Sequence, residues 1–223
     1  MMVGEQDLEN LLEVVEKFGP NSKVNDINDP RVIFIHEQKK LPKEEAFRQL
    51  RNNLMGEYYR RDYFAKEYSW SIPSKEAVDK IKAFVNRDEI IEIGAGHGFW
   101  AKILQYADVK VTPTDSYSDR GGYLPKDNAY TFVQDLKADD ALNKYSDHNV
   151  LMMSWPPYDK PLAADSLLAF SGSKLIYIGE DQGGCTGSDR FFKDLYGNWK
   201  NIDIVNIPQW EGVYDNLYLW ERK

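Results

Sequence analysis

The residues best suited to chemistry in this chain fall at the ends of short apolar runs. The first set is EIIEIGAGHGFW, where Glu92 precedes Gly94, Gly96 and Gly98 and a helical stretch follows. Glycines at such a strand-to-helix turn let the backbone bend sharply and approach a ligand, and a helix N-terminus offers unpaired N–H groups. A dinucleotide-type fingerprint would need its third glycine at position 99, which is Phe99. Asp115 follows the next apolar run, 23 residues after Glu92, where a carboxylate can accept both hydroxyl protons of a ribose. Asp135 follows a third run, within reach of an adenine amino group. Taken singly, each of these aspartates also suits a helix cap or a turn.

A second set is SWPPYD, in which Pro156 and Pro157 stiffen a turn and fix the directions of Trp155, Tyr158 and Asp159. A third is GEDQGGCTG, where Glu180 and Asp181 can bind a cationic or amino substrate or take a proton. Covalent catalysis by Cys185 is disfavoured, because His36, His97 and His148 are scattered along the chain. No paired His/Cys spacing supports a metal site, and none is expected.

The elements that position these residues can be read from periodicity. Helices are expected over Leu8–Phe18, Glu44–Phe64 and Ser74–Phe84, with Arg31–His36 a short strand or a docking apolar segment. From Glu89 onward strands alternate with helices: strands at Glu89–Ile93, Val109–Thr114, Tyr130–Val133, Asn149–Trp155 and Leu175–Gly179, and helices at Phe99–Ala107, Leu136–Tyr145, Pro161–Phe170 and Asp189–Tyr196. A Gly/Pro-rich loop is expected over Asp119–Pro125. The chain closes on two strands, Ile202–Ile207 and Asn216–Glu221, with no helix between them. That order predicts an α/β fold whose mainly parallel sheet is covered on both faces and ends in an antiparallel hairpin. Ligands in such sheets bind at the carboxyl ends of the strands, where all three sets lie.

With these residues in place, the stretch from about Pro73 onward resembles the class I S-adenosylmethionine-dependent methyltransferases. The resemblance implies a Rossmann-like, seven-stranded sheet over residues 73–223, preceded by a helical extension or cap over residues 1–72. It implies that Gly94, Gly96 and Gly98 shape the methionine pocket and that Glu92 orients the loop or the methionine amine. Asp115 would then hold the ribose, with Asp135 and the backbone near Leu136 at the adenine. Tyr68, with Trp70 beside it on the substrate side, would lid the methionine end. SWPPYD is similar to the Asn/Asp/Ser-Pro-Pro-Tyr/Phe motif of methyltransferases acting on amino or amide nitrogens, in which the polar residue and a proline carbonyl accept hydrogen bonds from the nitrogen. This chain departs from it at Trp155, whose indole donates but cannot accept. The carbonyl of Pro156, Tyr158 and Asp159 are expected to remain available.

Charge narrows the partners. Asp and Glu outnumber Lys and Arg by 36 to 28, a net charge of −8, which disfavours strong binding to duplex DNA. Arg48, Arg51, Arg60, Arg61 and Lys66, interleaved with Tyr58, Tyr59, Tyr63 and Phe64, keep an RNA acceptor open, although they read more readily as a solvated helix face with an apolar stripe opposite. A protein side chain or a small molecule is also open as acceptor. No apolar run suits a membrane span and no signal core is evident, so a cytoplasmic location is expected, or a nuclear one in a eukaryote. Three alternatives stay open: an oxygen or small-molecule methyltransferase, a noncatalytic cofactor-binding subunit with Trp155 in the acceptor space, and a protein for another nucleotide ligand.

Overall fold

The computed structural model describes residues 3–117 and 129–223, so the loop expected over Asp119–Pro125 lies outside the described residues. Four helices come first: α1 (Val3–Phe18), α2 (Pro30–Lys39), α3 (Lys43–Leu50) and α4 (Asn53–Glu67). The RVIFIH segment is therefore helical and not a strand. Asp29 explains it: its side chain accepts from the N–H of Arg31, and Pro30 opens the helix where a missing N–H costs nothing. The single helix expected over Glu44–Phe64 is two, broken between Leu50 and Asn53.

Then follow α5 (Lys75–Val85), β1 (Ile90–Ile93), α6 (Phe99–Tyr106), β2 (Val111–Asp115), β3 (Gln134–Asp135), α7 (Ala138–Lys144), β4 (Val150–Ser154), α8 (Leu162–Ala169), β5 (Lys174–Gly179), α9 (Asp189–Asn198), β6 (Trp199–Asn206) and β7 (Asn216–Arg222). The sheet order is β3-β2-β1-β4-β5-β7-β6. Neighbours pair in parallel from β3 to β5, while β7 runs antiparallel between β5 and β6. This is a doubly wound, Rossmann-like α/β sheet closed by a hairpin.

The alternation of side chains divides two cores. Ile90, Met152 and Ile176 pack with Ile81, Trp100 and Ile103 on one face. Ile91, Leu151 and Leu175 pack with Ala163, Leu167 and Phe191 on the other. The helical N-terminal segment has its own buried set, Val32, Ile35, Ala46, Leu50 and Tyr59. It joins the rest through Phe18, Tyr63 and Phe64 against Ile72, Trp210 and Val213.

The third strand differs from expectation. Tyr130–Val133 is not a strand, and the pairing with β2 begins only at Gln134. The N–H of Tyr130 donates to the His97 carbonyl at 2.8 Å, and the Thr131 hydroxyl donates to Gln105 at 2.9 Å. These β-prone residues are thus drawn over the start of α6 by tertiary contacts that override their local propensity.

The Arg/Tyr-rich helices are not a free basic stripe. Arg48 pairs with Glu45, Arg60 with Glu57 and Lys66 with Asp62, while Tyr59, Tyr63 and Phe64 are buried. No helix among the described residues is long and apolar enough to cross a membrane.

Candidate functional site

A cavity of about 860 Å³ opens at the carboxyl ends of β1, β2 and β4. Parallel strands end here with their side chains converging, and the N-terminal segment adds a wall through Ala65, Tyr68 and Trp70. Glu92, Gly94 and Gly96 line it, as do Asp115, Leu136 and the turn Trp155–Asp159.

Glu92 sits in a strand whose four residues are all buried, so its carboxyl is forced into the interior beside an apolar core. It is 1% exposed, and its Oε2 has no hydrogen-bond partner. Burial, reinforced by the nearby Asp115 carboxylate, pushes its pKa up to about 8. An unsatisfied buried carboxylate lining a cavity is the feature that most requires a ligand here.

Asp115 ends β2, and its Oδ2 accepts the N–H of Gly96 at 2.8 Å, which ties the glycine turn to the neighbouring strand. The N–H groups of Gly94 and Ala95 both donate to the Thr114 carbonyl. The glycines serve two different ends. At Gly96 (φ +59°) the space where a Cβ would stand is open. At Gly98 (φ +71°) a Cβ would lie 2.9 Å from the Val133 side chain and 3.0 Å from that of Thr131. Gly98 is therefore outside the cavity lining, and what it provides is a left-handed cap and close packing for α6.

Asp135 is exposed and also lies outside the lining, whereas Leu136, the next residue, is on it. The N–H of Leu136 donates to the Asp115 carbonyl at 3.1 Å, so the backbone fixes Leu136 beside Asp115. Successive residues point to opposite sides of a strand, which is why only one of the two can face the cavity.

The Pro-Pro turn is pinned by the GGCTG loop. Pro157 bridges to Thr186, and the N–H of Gly187 donates to the Pro156 carbonyl at 2.9 Å. That carbonyl thus already accepts one hydrogen bond, with its second lone pair left over. Trp155 has φ 52°, a left-handed conformation unusual for a bulky residue. Its indole N–H donates to Asp215 Oδ2 at 2.8 Å, and its ring stacks on Trp70 at 5.7 Å between centroids. Tyr158 is 61% exposed at the mouth.

Glu180 and Asp181 do not line the cavity. Glu180 is buried and accepts the N–H groups of Cys185 and Tyr214, stapling two loops together. Asp181 accepts from the Tyr196 hydroxyl and from the N–H of Gln182. Among the described residues no cluster of three or more His, Cys, Asp or Glu could hold a metal ion.

Two contributors escape a reading of the sequence. Asp215 is 2% exposed, with Oδ1 unpartnered, and burial pushes its pKa up to about 6. Its isolated position in a loop gives no sequence signal. Ser154 lines the cavity and belongs to a relay: the Trp100 indole N–H donates to Ser71 Oγ at 2.8 Å, and Ser71 lies 2.7 Å from Ser154 Oγ. Indole only donates, so the buried Ser71 satisfies its own proton by donating it to Ser154. Ser154 is left with its hydroxyl proton to offer elsewhere. The signal was the serine preceding Trp155, one step from the polar position of the motif.

No protein-family model and no curated protein sequence matches the chain. Among solved structures it is similar to magnesium protoporphyrin IX methyltransferase of Synechocystis PCC 6803, at 8% identity and TM-score 0.44, over 89% of this chain and 100% of that one. It is similar to 1,6-didemethyltoxoflavin-N1-methyltransferase of Burkholderia thailandensis, at 13% identity and TM-score 0.47, over 82% and 90%. A mutant of MtNAS in complex with S-adenosylmethionine gives 14% identity and TM-score 0.49, over 97% and 91%. At these identities the likeness is one of fold alone.

Proposed function

We propose that this chain is an S-adenosylmethionine-dependent methyltransferase acting on a small planar acceptor. The observation that carries the reading is the unpartnered, buried carboxyl of Glu92 in the cavity between the glycine turn and Asp115. A ligand with an ammonium group satisfies it. A dinucleotide would bring its pyrophosphate to the glycine turn, where the Asp115 carboxylate already takes the Gly96 N–H and repels the phosphates. In this reading Glu92 takes the methionine ammonium, Gly96 leaves room for the chain, Asp115 accepts the ribose hydroxyls and Leu136 flanks the adenine. The cofactor supplies an electrophilic methyl group on a sulfonium.

The chain's residues do the rest by positioning and proton handling. Tyr158 and Trp70 offer aromatic faces to a flat acceptor, and Ser154 donates to a lone pair on it. The acceptor atom in this reading is a nitrogen of the planar group, with the second lone pair of the Pro156 carbonyl able to accept from an N–H on it. An oxygen acceptor is a second reading, favoured by the same Ser154 donor. Asp159, exposed at the mouth, takes any proton released. The helical segment over residues 1–72 caps the entrance, and a cytoplasmic setting fits this chemistry.

Calorimetry with S-adenosylmethionine and S-adenosylhomocysteine tests the class. Micromolar binding is expected, weakened tenfold or more by Asp115→Ala. A folded wild type that binds neither ligand overturns the reading. The two glycines should separate stability from binding. Gly98→Ala is expected to cost about 1–3 kcal/mol through strain and overpacking, read as a lower Tm. Gly96→Ala should cost about 1 kcal/mol of stability, while its methyl group intrudes on the ligand and lowers affinity well beyond that. Equal affinities for the two variants would mean that the turn does not touch the cofactor.

A further inference from the structure

We propose that Arg61 forms an anion subsite at the rim of this cavity and that the methyl acceptor is a planar molecule carrying a carboxylate. The inference rests on the methyltransferase reading, because it assigns the acceptor end of the same cavity. Arg61, Ala65 and Tyr68 recur at helical spacing on one face of α4 and its continuation, and Ala65 and Tyr68 line the cavity. Arg61 stands one turn before Ala65, outside the lining itself, and meets the cavity at its rim through Trp70 and Trp155.

Its guanidinium lies 5.7 Å from the Trp70 ring centroid and 5.2 Å from that of Trp155, both of them lining residues. The two indoles hold the planar group in place without using its N–H donors, since a ring face offers charge attraction and not a lone pair in the guanidinium plane. Among the described residues Arg61 makes no hydrogen bond and no ion pair, and its Nε is buried without a partner. Neighbouring basic residues of the same helices behave otherwise: Arg48, Arg60 and Lys66 each face a carboxylate one turn away. Arg61 is half-buried, and the donors of its terminal nitrogens remain unused by the protein, which leaves a preorganised fork that an anion can take up.

Asp215 attracts Arg61 without pairing with it. Around them the lining acids Asp115, Asp139, Asp159 and Asp165 outnumber the lining lysines, and this net negative field repels a dianion more than a monoanion, so the subsite suits a carboxylate better than a phosphate. Lys160 also lines the cavity but is exposed, and its ammonium keeps its hydration. The Arg61 fork, the Ser154 hydroxyl and the aromatic faces together describe an aromatic or heteroaromatic acid.

The test is calorimetry of the full chain with benzoate, nicotinate, their amides and phenyl phosphate, each with and without saturating S-adenosylhomocysteine. The acids are expected to bind at least tenfold more tightly than the amides and more tightly than phenyl phosphate. R61M should remove that preference, with R61K intermediate, while affinity for S-adenosylhomocysteine stays within twofold. Acids and amides bound alike, acids bound equally by R61M, a preference for the phosphate, or no acid bound at all would each overturn the subsite. Failure of S-adenosylhomocysteine to bind is a separate outcome that strikes the methyltransferase reading itself. The acid-versus-amide comparison in the wild type stands even where R61M is poorly folded.

Discussion

Affinity for S-adenosylmethionine is expected to climb about tenfold per pH unit from pH 6 towards pH 7, peak near pH 8 and fall above it. The rising limb belongs to Glu92. With its pKa held near 8 by burial, only about one molecule in ten carries the carboxylate at pH 7, and an ammonium ligand selects that form. The falling limb belongs to the ligand's own α-amine, which loses its proton in the same range. Binding at pH 7 therefore releases close to one proton, which calorimetry reads as an enthalpy that depends on the buffer. Glu92→Gln removes the rising limb and should weaken binding at pH 8 by about 1.5–3 kcal/mol, the range for a hydrogen bond to a charged partner. A wild-type affinity that is flat between pH 6 and 8, or an undiminished Glu92→Gln, would show that the ammonium goes elsewhere.

The second large effect concerns stability and needs no ligand. Asp215 has its folded pKa raised from 3.8 to about 6, with desolvation the main cause and the Trp155 hydrogen bond partly opposing it. A raised acid pKa means that the folded state binds the proton more tightly than the unfolded chain does. Its contribution is whole below pH 3.8 and is lost as pH rises through about 6. Two pKa units amount to about 3 kcal/mol as an order of magnitude. Asp215→Asn keeps an oxygen for the Trp155 indole and places a neutral amide where Oδ1 has no partner. It should match the wild type near pH 4 and exceed it in Tm by several degrees at pH 7.5. Guanidinium melts at the two pH values would check this. A variant less stable than the wild type at pH 7.5 would mean that the charge itself is needed, most directly by Arg61.

The region around β1 was legible because local and tertiary demands agree there. An apolar run, three glycines and a helical start all specify one strand-turn-helix, and parallel strands with intervening helices force the sheet. The misreadings fall where contacts distant in sequence decide. Tyr130–Val133 has strand-forming residues, yet the His97 carbonyl and Gln105 hold it over α6. Asp135 was expected at the adenine from its place after a strand, and a two-residue β3 turns Leu136 inward instead. The engagement of the Pro156 carbonyl depends on Gly187, and the settings of Arg61 and Asp215 depend on each other and on two indoles. No periodicity encodes such meetings.

The insertion of β7 between β5 and β6 also governs how the fold is assembled during synthesis. β5 is made first but finds its outer neighbour only when Asn216–Arg222 arrives, and among the described residues β6 has no hydrogen-bonded partner in the sheet except β7. Until then a nascent chain presents β5 as an open, apolar edge, with Leu175, Ile176, Tyr177 and Ile178 behind it. Such an edge is a template for pairing with another chain. Chaperone demand should therefore be greatest between the synthesis of β5 and that of β7, and lesions in β7 should appear as aggregation of otherwise well-formed molecules.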